Sequence, residues 1–290
     1  MNRKKLIAFS LSLAMTVVPV TPAAAAGAEQ NSEGLQNAVL DLGFENSLED
    51  SSGKGNNGTL SSGNAEYVDG VVGKALKMNG SSYVNLGTST DLQPENLTLS
   101  FWIRPDTAMT GEELISWNKN EWYTDGWYLS SENDNTPLTL SIGPAKTNGQ
   151  PYRVSVSGKR SDFFPTEEWT HIAVTYDKDS KEICFYRNGV KCSTVTTYGI
   201  GGESTGVLGS DASMEKSIGY NGPKYKGAYL KASIDEYQLY NDVATPEEVI
   251  DLYEESGQTF DRKAVAQADL DKISIPETTQ GNLSLPTTGE

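Results

Sequence analysis

The chain between residues 38 and 257 is patterned as a succession of short strands. In the run 97–105 the apolar side chains recur at every second position, which is the periodicity of a half-buried strand. The residues that share this face are Leu97, Leu99, Phe101 and Ile103. Similar runs cover 138–142, 152–156, 169–176 and 234–240. Asn-Gly and Asp-Gly pairs at 69–70, 79–80, 148–149 and 188–189 predict tight turns between strands.

One segment has the pattern of a helix. Thr245 supplies an N-cap, Pro246 a first-turn proline and Glu248 the acidic residue of a capping box. Many antiparallel strands with one short C-terminal helix predict an all-β sandwich of two sheets. About 220 residues in one sandwich would bury roughly 70% of the surface of the unfolded chain, so folding alone needs neither a metal nor a disulfide.

The N-terminus has the pattern of a secretory signal peptide over residues 1–26. Three basic residues precede the apolar run 6–20, and Ala24–Ala26 supply small residues at the cleavage point. The run is interrupted by polar residues and is shorter than the roughly 20 residues that a membrane span needs. No other segment is long enough to cross a bilayer. We therefore predict a secreted, extracellular protein, with a linker over 27–37.

Charge and composition exclude several classes of function. The chain has 23 Lys and Arg against 39 Asp and Glu, a net charge of −16. Removal of the three basic residues of the signal takes −16 to −19. Such a surface disfavours nucleic acid and leaves carboxylates available to cations. One histidine and two cysteines exclude a zinc cluster. His171 lies inside a strand pattern and is expected to be structural.

Cys184 and Cys192 flank the Asn188-Gly189 turn, and two hairpin geometries are open to them. A two-residue turn pairs Phe185 with Cys192 and puts Cys184 on the opposite face, so that no bond forms. A three-residue loop with Gly189 in a bulge pairs the two cysteines directly and allows a disulfide. Secretion permits oxidation.

The order of several short motifs resembles a known family. They include 43–46, 50–53, 56–59, 73–80, 99–105, 168–177, 185–189, 233–241 and 245–248. Together they resemble the laminin G-like, concanavalin A-like jelly-roll modules of bacterial secreted proteins, over residues 38–257. The resemblance implies a jelly roll of two antiparallel sheets, often a calcium ion, and usually a binding role beside a glycoside hydrolase.

A calcium site is expected near the N-terminal strand. Glu45, Asp50 and Asn56 lie in one Gly- and Asn-rich loop, whose oxygens could surround an ion. Asp235 lies on a late strand that the family pairs with the first one. We predict that these four side chains, with carbonyls near residues 52–53, bind a structural calcium ion.

Aromatic residues supply the candidate ligand contacts, because flat rings stack on the apolar faces of sugars. The candidates are Trp117, Trp122, Tyr123, Asp125, Tyr220 and Tyr225, with Asp125 positioned to bond hydroxyl groups. Trp102 and Trp169 are expected to be packing residues.

The C-terminus permits two interpretations. Residues 285–289 match the sorting motif of surface proteins of Gram-positive bacteria, but only Glu290 follows. We favour a linker and the truncated start of an immunoglobulin-like module over 258–290, similar to small modules of bacterial carbohydrate-active enzymes. Such a fragment would be poorly ordered.

The favoured function is a non-catalytic module that binds polysaccharide or host glycan, as the accessory part of a multidomain glycoside hydrolase with a downstream catalytic domain. The Glu-x-Asp-x-Glu pattern of laminarinase-type jelly rolls is absent. The alternatives are a wall-anchored adhesin that binds host protein or glycan, and a jelly-roll glycoside hydrolase in its own right.

Overall fold

The computed structural model describes the central part of the chain. The described residues are 35–36, 38–110, 113–119, 124–144, 149, 151–192, 195–198, 206, 208–209, 212–220 and 229–263. The predicted signal peptide and sorting motif, and nearly all of the predicted immunoglobulin-like fragment, lie outside these residues, as do Trp122, Tyr123 and Tyr225. Within the described part, no helix has the length and apolar character that a membrane crossing requires.

The described residues form sixteen strands and two helices. The strands are β1 (Ala38–Leu42), β2 (Thr59–Leu60), β3 (Glu66–Asp69), β4 (Lys74–Asn79), β5 (Val84–Gly87), β6 (Leu97–Pro105), β7 (Glu113–Lys119), β8 (Gly126–Ser131), β9 (Leu138–Pro144), β10 (Pro151–Val156), β11 (Thr170–Tyr176), β12 (Ile183–Arg187), β13 (Val190–Lys191), β14 (Val195–Tyr198), β15 (Lys216–Ile218) and β16 (Lys231–Tyr240). The helices are α1 (Arg160–Phe163) and α2 (Pro246–Glu255), and a 3₁₀ turn covers Thr90–Leu92. Only α2 exceeds one turn of α-helix among the described residues, as predicted.

The strands form two antiparallel sheets. The first, sheet A, has the order β13-β12-β11-β6-β16-β4-β3, and β1 also pairs with β16. The second, sheet B, has the order β14-β10-β9-β8-β7-β15-β5-β2. Neighbours in space are often distant in sequence, as in β6 beside both β11 and β16. The predicted two-sheet jelly-roll sandwich is confirmed.

The core lies between the two sheets. The predicted face of β6 is fully buried, because Leu97, Leu99, Phe101 and Ile103 are each 0% exposed. They meet a layer of aliphatic side chains from sheet B that includes Leu129 and Leu140. Each such side chain contributes roughly 1.5–3 kcal/mol through removal from water. The alternate residues of β6 therefore lie on the outer face of sheet A.

Helix α2 packs on that outer face. Its capping box is complete, because Glu248 N–H donates to Thr245 Oγ1 at 3.2 Å and Thr245 N–H donates to Glu248 Oε2 at 2.8 Å. Val249 then packs in a small apolar cluster with Ala173 and Cys184. The local signal that starts the helix thus agrees with its packing on the sheet.

The β12–β13 hairpin has the two-residue turn. Asn188 and Gly189 both have positive φ, at 50° and 78°, which is the backbone of a type I′ turn. Cys192 N–H donates to Phe185 O at 2.7 Å, so Cys192 lies opposite Phe185. Cys184 is on the other face, and both thiols are free. The prediction of a possible disulfide is therefore wrong, because the two-residue turn puts the side chains of Cys184 and Cys192 on opposite sides of the sheet.

His171 is a buried structural residue with 1% exposure. Its Nε2 shares a hydrogen bond of 2.9 Å with Ser100 Oγ, and its ring lies 5.2 Å from that of Trp102. Nδ1 is buried without a hydrogen-bond partner among the described residues. Burial lowers the pKa of His171 from its ordinary 6.5 to about 3, since a charged imidazole would lose its hydration here.

Because the folded state favours neutral His171, its contribution to stability is complete above pH 6.5 and is lost as the pH falls toward 3. The loss is about 1.4 kcal/mol for each pH unit in this window. We expect the unfolding free energy of the wild type to fall relative to that of His171→Phe as the pH decreases from 7 to 4.5. Urea titrations measure it, and parallel pH profiles would contradict the assignment.

Candidate functional site

Asp50 organises the loop in which a calcium site was expected. Its Oδ1 accepts from the N–H groups of Asp41 and Ser52, both at 2.9 Å. Its Oδ2 accepts from Asn56 N–H and Ser52 Oγ–H, both at 2.8 Å. Burial raises the pKa of Asp50, but these bonds outweigh it and hold the pKa below its ordinary value. A carboxylate has about four acceptor positions, so none is left for an ion.

Asn56 is also engaged. Its side chain is buried, and Nδ2 donates to Val39 O at 2.7 Å. The amide therefore fastens the loop to strand β1. In the structure, Asp50 and Asn56 form hydrogen bonds that hold this loop together and join it to β1, and they do not surround a cavity for an ion.

Asp235 and Glu45 lie on either side of the turn between β3 and β4. Asp235 is fully buried, and its Oδ2 accepts from the N–H groups of Val71 and Val72 at 2.8 and 3.0 Å. Burial raises the pKa of Asp235 to about 6 against the effect of its N–H donors, and the charge of Glu45 raises it further. Glu45 Oε2 accepts from Lys74 N–H at 3.3 Å.

Two glycines let the turn fit between these carboxylates. A Cβ at Gly70 would lie 2.4 Å from Asp235 Oδ2, and one at Gly73 would lie 2.2 Å from Glu45 Oε1. Gly73 also has a φ of 59°, which favours glycine. The structure thus brings two of the four expected ligands to one turn. Within the described part of the chain, no three His, Cys, Asp or Glu side chains meet at one point.

Trp117 is a packing residue in this structure. Its ring stacks on Tyr128 at 5.4 Å and is only 1% exposed. Asp125 is exposed in the turn between β7 and β8. Burial lowers the pKa of Lys119 to about 8, and the charge of Asp125 opposes this shift. Trp117 and Asp125 therefore do not share a ligand-facing surface.

Tyr220 belongs to a cluster of three tyrosines, which we call the tyrosine cluster: Tyr83, Tyr220 and Tyr229. The ring of Tyr220 lies 4.9 Å from Tyr83 and 4.5 Å from Tyr229, and the last two rings are 6.4 Å apart. All interplanar angles lie between 8° and 24°. Tyr220 is buried, whereas Tyr83 and Tyr229 are half-buried and reach the surface.

Backbone bonds fix the position of each ring. Tyr83 exchanges bonds with Ser61, because Tyr83 N–H donates to Ser61 Oγ and Ser61 N–H donates to Tyr83 O. Ser217 Oγ–H donates to Tyr220 O at 2.6 Å, and Leu230 N–H donates to Gly219 O at 3.0 Å. Tyr83 and Tyr229 were missed from the sequence because no local pattern shows that the residue before β5 and the segment before β16 come together beside Tyr220.

The remaining tryptophans differ from each other. Trp102 is 4% exposed and stacks with Tyr253 of α2 at 5.4 Å, as expected of a packing residue. Trp169 is only half-buried, and the guanidinium of Arg104 lies 5.5 Å from its ring centre. Trp169 therefore keeps an accessible aromatic surface that its strand motif did not indicate.

A family comparison agrees with this architecture. The model of the concanavalin A-like lectin/glucanases superfamily, laminin G type, matches residues 78–250. The chain belongs to this family. No curated protein matches the chain.

Solved structures of this superfamily fold include carbohydrate-binding and toxin domains. Domain 4 of AbnA, a GH43 extracellular arabinanase from Geobacillus stearothermophilus in complex with arabinotriose, is 23% identical with a TM-score of 0.56, over 75% of this chain and 100% of that one. The binding domain of Paraclostridial Mosquitocidal Protein 1 is 22% identical with a TM-score of 0.57, over 76% of this chain and 52% of that one.

A structure of botulinum neurotoxin type C, whose cell entry depends on two ganglioside molecules, is 17% identical with a TM-score of 0.55. The match covers 77% of this chain and 52% of that one, so this chain spans about half of the toxin structures. At these identities the comparisons establish the fold. The ligand of this chain has to be argued from the chain's own residues.

The four bonds of Asp50 generate a stability prediction. Asp50→Asn replaces one acceptor oxygen with an NH₂ group that faces N–H or O–H donors, so the loop should lose roughly 1–3 kcal/mol. Urea unfolding monitored by circular dichroism measures the change. Asp125→Asn, at an exposed position, is the control and should change stability by less than about 0.5 kcal/mol. Equal effects of the two variants would contradict the role given to Asp50.

Proposed function

We propose that this chain is a secreted glycan-binding module, and that the tyrosine cluster is its binding surface. The observation that carries the proposal is the pair of half-buried rings, Tyr83 and Tyr229, held nearly parallel against buried Tyr220. Aromatic rings offer a flat apolar face, and tyrosine adds a hydroxyl at the wet end. A sugar ring has the matching arrangement of C–H groups on its faces and hydroxyls at its edge.

Rigidity supports this surface as a binding site. Each ring is held by its stacked neighbours and by hydrogen bonds of its own backbone or that of an adjacent residue, so a ligand would order few side chains on binding. The surface needs no ionised group to bind a neutral polysaccharide. The strongly acidic composition disfavours sulfated or uronic glycans unless a cation bridges them.

An accessory role beside a catalytic domain is a further part of the proposal. The chain covers the whole of an arabinanase domain that holds arabinotriose, and its N-terminal pattern is that of a secreted protein. A module of this kind would hold an attached or associated glycoside hydrolase on its polysaccharide. Weak contacts with single sugars suit this task, because several contacts with one polymer chain together give a higher overall affinity.

A calcium ion is the second part of the proposal. Glu45 and Asp235 supply two carboxylates beside one turn, and oxygen ligands of this type are those that calcium prefers. Asp235 is buried near a second negative charge, which a cation would neutralise. The ion would serve as a structural cofactor that fixes the turn, with Asp50 and Asn56 acting on their own loop.

The tyrosine cluster is tested by retention on polysaccharide. Affinity electrophoresis in gels that contain arabinan, galactan, xylan or β-glucan, with arabinotriose calorimetry beside it, defines the ligand of the wild type. Tyr229→Ala and Tyr83→Ala should each weaken retention about tenfold or more, because each removes a stacking face. Tyr229→Phe should keep most of it.

Tyr67→Ala, at a half-buried tyrosine of β3 in sheet A, is the matched control for the loss of a ring and should keep retention. Circular dichroism confirms that each variant folds. Unchanged retention in both alanine variants would exclude the tyrosine cluster. A wild type that none of these polysaccharides retains would contradict the proposed function.

Calcium is tested by thermal unfolding. Saturating calcium should raise the Tm of the wild type by roughly 5 °C or more relative to EDTA, since an ion that binds only the folded state stabilises it. Asp235→Asn should abolish this rise. Asp50→Asn, the same change at a half-buried aspartate, should lower the Tm but keep the rise. The reverse pattern would assign the ion to Asp50.

A further inference from the structure

A pocket of roughly 330 Å³ opens on the outer face of sheet A, and none of the three residues of the tyrosine cluster lines it. Five parts of the fold line it. They are the β3–β4 turn with Val71, β6 with Trp102, Trp169 directly before β11, the β12–β13 turn with Asn188, and α2 with the segment after it, which supply Tyr253 and Gln258. We call it the outer-face pocket. Its volume lies at the lower end of the range for small-molecule sites, which suits one or two sugar rings.

The floor of the pocket is a fixed aromatic surface. Trp102 lies in one row across the sheet, with His171 on β11 and Asp235 on β16 as its direct neighbours. Tyr253 stacks on Trp102 at 5.4 Å, and His171 lies 5.2 Å from it. The rotamer of Trp102 is therefore set by packing from three elements, so the floor is formed before any ligand arrives.

Half-buried aromatic rings form the sides. Trp169 has Arg104 near its ring centre, at 5.5 Å, which orients the indole. Tyr253 contacts Phe260 edge to face at 6.3 Å. Phe260 in turn packs on Gly189, where a Cβ would come within 2.8 Å of the phenylalanine ring. The chain after α2 is thus held against the hairpin turn, and it keeps Gln258 at the rim.

Two amides supply the polar contacts. Asn188 N–H donates to His171 O at 2.9 Å, and Asn188 Oδ1 accepts from His171 N–H at 2.8 Å. The Asn188 side chain is therefore immobile, and its Nδ2 is the donor group left for a ligand. Gln258 is exposed and offers both donors and an acceptor. All the residues that line the pocket are uncharged.

A buried carboxylate supports the remaining wall. Asp235 Oδ2 accepts from Val71 N–H and Val72 N–H, and it lies against Gly70. Asp235 is a positioning residue here, because it fixes the turn that carries Val71 and does not itself line the pocket. The wall is as fixed as the floor.

We infer that the outer-face pocket is a second sugar-binding site, which takes a terminal neutral sugar residue. Aromatic walls match the apolar faces of a sugar ring, fixed amides match its hydroxyls, and the uncharged lining favours a neutral ligand over an acidic one. A pocket accepts the end of a chain, whereas the tyrosine cluster is a surface on which an internal stretch can lie. The two sites together would bind one polysaccharide at two points and gain avidity.

Ligand-observed NMR and calorimetry on the full chain test the inference, with arabinose, galactose, glucose, N-acetylglucosamine and, for contrast, glucuronic acid as probes. We expect at least one neutral sugar to bind, and glucuronic acid to bind at least tenfold more weakly. Asn188→Asp keeps the acceptor for His171 N–H and tolerates the positive φ, but it replaces the Nδ2 donors with oxygen. It should weaken sugar binding at least tenfold, and so should Trp169→Ala.

Asn133→Asp is the matched control, because Asn133 Oδ1 likewise accepts backbone N–H groups, from Asn135 and Thr136, in a turn away from the pocket. It should leave sugar binding unchanged. Binding of none of the neutral sugars, or binding that Asn188→Asp and Trp169→Ala both leave intact, would overturn the inference. Binding of free sugars with no effect of Asn188→Asp on arabinan retention would overturn its assignment to chain ends.

The two sites are separated by crossed variants. Asn188→Asp should weaken monosaccharide binding at least tenfold, whereas Tyr229→Ala should weaken polysaccharide retention about tenfold or more without affecting monosaccharides. Loss of both activities in Tyr229→Ala alone would overturn the outer-face pocket and leave the tyrosine cluster as the single site. Loss of both in Asn188→Asp alone would exclude the tyrosine cluster and keep the pocket.

Discussion

The pairing of β6 with β16 is the constraint on which the rest of this structure depends. It joins two distant parts of the chain at the centre of sheet A and sets Trp102 directly beside Asp235. The register shifts at Glu236, whose φ of 46° marks a bulge, so that Tyr237 turns into the core and bonds Ser116 Oγ. One register therefore fixes the core, the buried carboxylate and the floor of the outer-face pocket.

Burial divides the aromatic residues into two groups with different capacities. Trp117 and Tyr128 are nearly inaccessible and stack on each other, so their contribution is to packing. Tyr83, Tyr229 and Trp169 keep accessible surface while a buried ring or a guanidinium holds each in place. Only the second group combines a fixed orientation with access, which is what stacking on a sugar requires.

The carboxylates divide in a similar way. Asp50 has all its acceptor positions filled by N–H and O–H donors of strand β1 and of its own loop, so its charge is stabilised there. Asp235 accepts three N–H groups but lies fully buried beside Glu45, so its charge is not stabilised to the same degree. The charges of these two aspartates are thus stabilised to different degrees, because their burial and their donors differ.

Local patterns in the sequence determined the alternating face of β6, the capping box of α2 and the two-sheet class, because each rests on neighbours within a few residues. They also indicated Tyr220 as a candidate ligand contact, Asp235 as a candidate calcium ligand and Asn188-Gly189 as a turn. Only the tertiary structure decided that this turn has two residues, which separates Cys184 from Cys192. It also decided that Tyr83 and Tyr229 join Tyr220, and that Trp169 shares a pocket with Asn188. These outcomes depend on strand pairings between distant residues, and periodicity within a strand carries no information about its partner.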